Sequence, residues 1–109
     1  MTLETYVNTL DRWAETERAN AAQAKSAGDE RLHSICLMKA SMLGDMLKTL
    51  GRVELQGRRG VLLKIALQQE QDAETHRKNE DFDAAERSEI KAQTIRRAMS
   101  LIEEDGDPV

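Results

Sequence analysis

A chain of 109 residues with 33% charged residues, a net charge of -4 and a mean hydropathy of -0.63 has the composition of one small soluble domain. It holds no apolar run near the ~20 residues needed to cross a bilayer, and its acidic balance gives no general attraction to nucleic acid or anionic membrane. Tyr6, Trp13 and Phe82 are the only aromatic residues and Pro108 the only proline, so an all-α fold with a core of Leu, Ile, Met and Ala is expected.

Thr2 is a good N-cap with Glu4 in the following turn, and a helix is expected from there to about residue 26. Its apolar positions, Leu3, Tyr6, Val7, Leu10, Trp13, Ala14, Ala21 and Ala24, recur at intervals of three and four. Gly28 suits the left-handed conformation that ends a helix, and Asp29 can cap the next one. The second helix spans about 30 to 50 and closes at Gly51. On a wheel of ~100° per residue, Leu32, Ile35, Cys36, Ala40, Met42, Leu43, Met46, Leu47 and Leu50 fill a wide arc, while Leu37 and Met38 fall outside it. Two readings follow, a helix central to the bundle or one whose surplus (Leu37, Met38, Met42) seals a homo-oligomeric interface, and the second is favoured.

The connection Gly51 to Gly60 admits a helix from residue 54, with Gly57 and Gly60 in its first turns, or a loop followed by a helix from Val61. Leu62, Ile65, Ala66, Gln69 and Ala73 then form an inward stripe to about residue 78. A turn at 78–81 leads to a last helix over about 82–104, and residues 103–109 read as a short acidic tail. The domain is thus placed at 1–102, with hairpins at 2–50 and 54–104.

A shift of 52 residues superimposes the halves: Ala14 falls on Ala66, Ala21 on Ala73, Asp29 on Asp81, Lys39 on Lys91 and Ala40 on Ala92. Apolar positions coincide as well, Leu10 with Leu62 and Leu43 with Ile95 among them. An internal repeat of one helical hairpin, two copies forming a four-helix bundle-like unit, is the expected architecture.

Polar residues interrupt the stripes at equivalent places. Lys39 and Lys91 lie within apolar arcs, and Glu17 and Gln69 stand equally far from the turns on the preceding helices. The expected result is one polar layer per hairpin, Glu17 with Lys39 and Gln69 with Lys91; a lysine-lined cavity is the functional alternative. A second constellation is basic: Lys48, Arg52, Arg58, Arg59 and Lys64 cluster about three glycines ahead of a helix start, a setting that suits a phosphate. The solvated surface turn is the competing reading.

No catalytic arrangement emerges. Glu30 and His33 have the Glu-x-x-His spacing of di-metal bundles but occur once, without a second set of mid-helix carboxylates, so no metal and no cofactor is implied. Cys36 sits in an oily stripe with no histidine on its face to activate it. A single cysteine and the lack of a basic-plus-apolar leader point to a reducing, cytoplasmic setting. The expected function is a protein-protein interaction module that binds without catalysis, an adaptor or inhibitor, a class that includes virus-encoded antagonists of host systems. The alternative is an anionic small-molecule, nucleotide or nucleic-acid binder using Arg52, Arg58, Arg59 and Lys64 with Lys39 or Lys91.

Overall fold

Thr2 opens the first helix as its cap: the side-chain oxygen accepts from the Thr5 amide at 3.1 Å, and the extended backbone at Thr2 turns into helix one residue later. The computed structural model describes the backbone at 2–49 and 55–106 and the side chains of 2–48 and 57–102. Four helices fill these residues, α1 (Leu3–Ser26), α2 (Glu30–Thr49), α3 (Leu55–Lys78) and α4 (Phe82–Gly106), and no strand occurs among them. No helix among the described residues is long and apolar enough to cross a membrane.

The helices pair in chain order, α1 against α2 and α3 against α4. They make two compact units that divide near residue 52, each an antiparallel hairpin. In the first, α1 buries Tyr6, Leu10, Ala14, Ala21 and Ala24, and α2 buries Cys36, Ala40, Leu43 and Met46. In the second, Leu62, Ala66 and Ala73 of α3 and Ala85, Ala92, Ile95, Ala98, Met99 and Ile102 of α4 are buried. Alanine dominates both seams, and its short side chain favours close approach of helix axes, which are typically ~8 to 10 Å apart. This explains how a chain with three aromatic residues builds apolar seams.

Both hairpins turn in the same way. Asp29 N–H donates to the Ala24 carbonyl at 2.9 Å and Gly28 N–H to that of Lys25 at 3.1 Å, while Gly28 takes φ 78°. These two bonds are a Schellman closure. In the second hairpin Asp81 N–H donates to His76 at 2.8 Å and Glu80 N–H to Arg77 at 3.0 Å, and Glu80 holds φ 60°. Each aspartate then caps the next helix, Asp29 Oδ1 accepting from Leu32 at 3.0 Å and Asp81 Oδ1 from Ala84 at 3.2 Å. The helix starts keep the same interval: 55 − 3 and 82 − 30 both equal 52.

The ambiguous connection resolves toward helix on its C-terminal side. α3 begins at Leu55, so Gly57 and Gly60 lie inside its first turns. Gly51, expected to close α2, lies outside the described residues, as does Leu50. At the other end α4 continues through Gly106, so the backbone of the first residues of the expected tail is helical.

Candidate functional site

The polar layer of the first hairpin forms with a different partner than expected. Glu17 and Lys39 are both half-buried, and no ion pair joins them. Glu17 instead interacts with Cys36, which precedes Lys39 by one helical turn and is 4% exposed. Burial pushes the Cys36 thiol up from the ordinary thiol range, and the nearby Glu17 carboxylate pushes it further, while Lys39 opposes them. The thiol is therefore held protonated, which is the reverse of what a nucleophile or metal ligand needs. Lys39 is half-buried, the partial exposure that long cationic side chains keep at the edge of a seam.

In the second hairpin Gln69 and Lys91 are likewise half-buried with no hydrogen bond between them. The position equivalent to Cys36 is Ser88, 7% exposed. The cross-hairpin ion pairs lie elsewhere. Arg96 grips Glu70 with both prongs, Nε to Oε2 at 2.7 Å and Nη2 to Oε1 at 2.8 Å, and Arg77 pairs with Glu89. Glu70 precedes Glu80 by ten residues and Arg96 follows it by 16; Arg77 precedes it by three and Glu89 follows by nine. In both pairs the α4 residue is six places further from the turn. Side chains tilt toward the N-terminus of their own helix, so those on α3 lean away from the turn and those on α4 lean toward it. Counting equal backbone distances, which suggested Gln69 with Lys91, overlooks that lean. Through its hydrogen bonds to Arg96, and the guanidinium charge, the Glu70 carboxyl is held below the usual carboxylate range.

The basic constellation does not converge on one face of α3. Arg58 is 0% exposed, Arg59 is half-buried and Lys64 is exposed. Once α3 starts at Leu55, Arg58 is one turn ahead of Leu62 and on the same stripe as Ala66, while Lys64 falls on another side. The 52-residue offset carried the signal, because it sets position 58 on position 6 and Tyr6 is itself buried. Lys48 is exposed near the end of α2, and Arg52 lies outside the described residues. Lys39 and Lys91 belong to separate hairpins.

The interface candidates are better exposed. Leu37 is 45% exposed, and Met38 and Met42 are half-buried beside it. Leu32 on α2, Val61, Ile65 and Leu67 on α3 and Phe82 at the start of α4 also present apolar surface. Among the described residues, no three His, Cys, Asp or Glu side chains are grouped so as to hold a metal ion. His33 is half-buried and Glu30 exposed, and His76 is half-buried.

No protein-family model, no curated protein and no solved structure matches this chain.

Proposed function

We propose that this protein is a binding module, built from two copies of one helical hairpin, that acts through the exposed face of α2 by holding another protein. The observation that carries this reading is Leu37. It is a large apolar side chain in the middle of a helix, 45% exposed and bordered by the half-buried Met38 and Met42. On a chain with 33% charged residues, a large apolar side chain left in water with two half-buried methionines close by in sequence marks a place for contact, although α3 and α4 also expose apolar side chains. The protonated Cys36 supplies no nucleophile, and the α3 cations, with Arg58 buried and Lys64 exposed on another side, form no converging anion site, which favours binding over catalysis. An adaptor or inhibitor acting in a reducing compartment, including one that antagonises a host system, fits this chemistry.

The duplication reading draws support from the identical turn closures, the interval of 52 between helix starts and buried pairs such as Leu10 and Leu62 or Ala40 and Ala92. Binding of a nucleotide or nucleic acid through Arg52, Arg58, Arg59 and Lys64 is the weaker reading, because the fully buried Arg58 offers no group to a ligand in solvent.

The test is a pull-down from source lysate with the wild type and with Leu37→Glu, at low and high salt, with nuclease treatment of the eluate. A protein retained at both salts, resistant to nuclease and lost with Leu37→Glu supports the reading. Recovery of nucleic acid, or retention that collapses with salt, overturns it, because phosphate contacts release counterions and weaken steeply as salt rises.

A further inference from the structure

We infer that the exposed face of α2 binds a second copy of this chain, α2 against α2 in antiparallel, about a two-fold axis beside Met38. The inference rests on the binding reading above and names its occupant.

Ser34, Leu37, Met38, Ser41 and Asp45 recur at spacings of three, four and seven and share the outward side of α2. The apolar pair sits at the middle of this face and the charges at its ends. Arg31 is seven residues before Met38 and Asp45 is seven after it, and both are exposed. Glu30 and Lys48, also exposed, stand nine residues to either side of position 39. A two-fold axis at the centre exchanges the ends of the helix. Each Arg31 then meets Asp45 of the other copy, so both of these contacts join opposite charges, while Glu30 and Lys48, centred one residue away, place further opposite charges near the same ends. In a parallel alignment every one of these residues would face its own like charge. Ser34 and Ser41 flank the apolar pair with short side chains, which lets the two helices close on Leu37 and Met38.

The equivalent face of α4 explains why α2 would choose itself. Asp83 and Arg97 flank Ile90 at the same spacing but with the signs exchanged. Antiparallel pairing of α2 with α4 would therefore set Arg31 against Arg97 and Asp45 against Asp83. Pairing α4 with α4 would put Glu89 and its ion pair to Arg77 near the axis, at the position that α2 fills with the apolar Leu37, so a charged pair and no apolar contact would be covered there. Complementarity and exclusion both favour the α2 homodimer.

Sedimentation equilibrium of the full chain at low salt tests this. The wild type should form a reversible dimer, and Leu37→Glu or Leu37→Ser should be monomeric with unchanged helical circular dichroism. Asp45→Arg should raise the dimer Kd about tenfold or more, because two attractive encounters turn repulsive. Arg31→Asp combined with Asp45→Arg should restore it to within about threefold, since the pair is exchanged and kept. A wild type that is monomeric at millimolar protein, a dimer that survives both Leu37 substitutions, or a double exchange no tighter than Asp45→Arg alone overturns the inference. A monomeric wild type that still captures a protein through Leu37 overturns the dimer and leaves the binding reading standing. A dimer that behaves as described beside capture indifferent to Leu37 does the opposite.

Discussion

Glu80 sits where the chain asks for glycine. It occupies the residue after the cap of α3 with φ 60°, and its counterpart Gly28 holds φ 78° with the same pair of closing hydrogen bonds. Left-handed backbone costs a residue with a Cβ about 1 to 2 kcal/mol. Replacement by glycine removes that strain but frees the unfolded chain, which returns about 0.5 to 1 kcal/mol of the gain. The Glu80 side chain is exposed with no hydrogen bond or ion pair to lose. Its charge lies between the C-terminus of α3, where a carboxylate is unfavourable, and the start of α4, where it is favourable, so the dipole contributions oppose each other. Glu80→Gly should therefore stabilise the protein by about 0.5 to 1 kcal/mol, a rise of roughly 2 to 4 °C in Tm for a chain of this size. The converse substitution is equally clean. A Cβ at Gly28 would touch nothing within 4 Å, so Gly28→Ala should lose about 1 kcal/mol through backbone torsion alone. Urea unfolding followed by circular dichroism reads both values. A Glu80→Gly protein no more stable than wild type, together with a neutral Gly28→Ala, would refute the left-handed assignment at both turns.

Gly60 lies inside α3 and a Cβ there also meets nothing within 4 Å; Gly60→Ala should add about 0.5 to 1 kcal/mol in urea titration, and a loss would show that the first turns of α3 are not helical in solution. Ala66 is fully buried and Ala22 exposed, so Ala66→Leu should cost about 1 to 3 kcal/mol while Ala22→Leu stays near neutral, with equal effects refuting the seam. Because the folded state holds the Glu70 carboxyl below its ordinary range, its contribution to stability is present above that range and lost as pH falls through the lower folded value; Glu70→Gln should lower Tm near pH 7, by less at high salt, and not at about pH 2. The raised Cys36 thiol works in the other direction, its stabilisation complete below the ordinary thiol pKa and lost as pH climbs toward the folded value. Native protein should react slowly with a disulfide reagent near pH 8 and Glu17→Gln should accelerate it, whereas a fast wild-type reaction would show Cys36 to be open and ionised.

Local rules carried the helices. Thr2 and Asp29 are caps, Gly28 is a helix stop, and apolar residues at intervals of three and four set most of the inward stripes, though Leu3, Leu32 and Ile65, expected on them, are exposed at their edges; all of these signals depend on neighbours a turn or less away. The hairpin pairing follows from turns too short to permit any arrangement except antiparallel neighbours. What lay beyond the sequence was the meeting of side chains across the seam. Equal counting from the turns paired Glu17 with Lys39 and Gln69 with Lys91, whereas the structure sets Glu17 against Cys36 and Glu70 against Arg96. Those contacts depend on helix rotation and stagger, and the second also on the lean of each side chain toward its own N-terminus, quantities that emerge only when two helices are docked. Arg58 shows the same division most sharply. Its charge read as surface until the start of α3 at Leu55 placed it on the stripe of Leu62 and Ala66, because composition assigns a residue its polarity but only the phase of the helix assigns it a side.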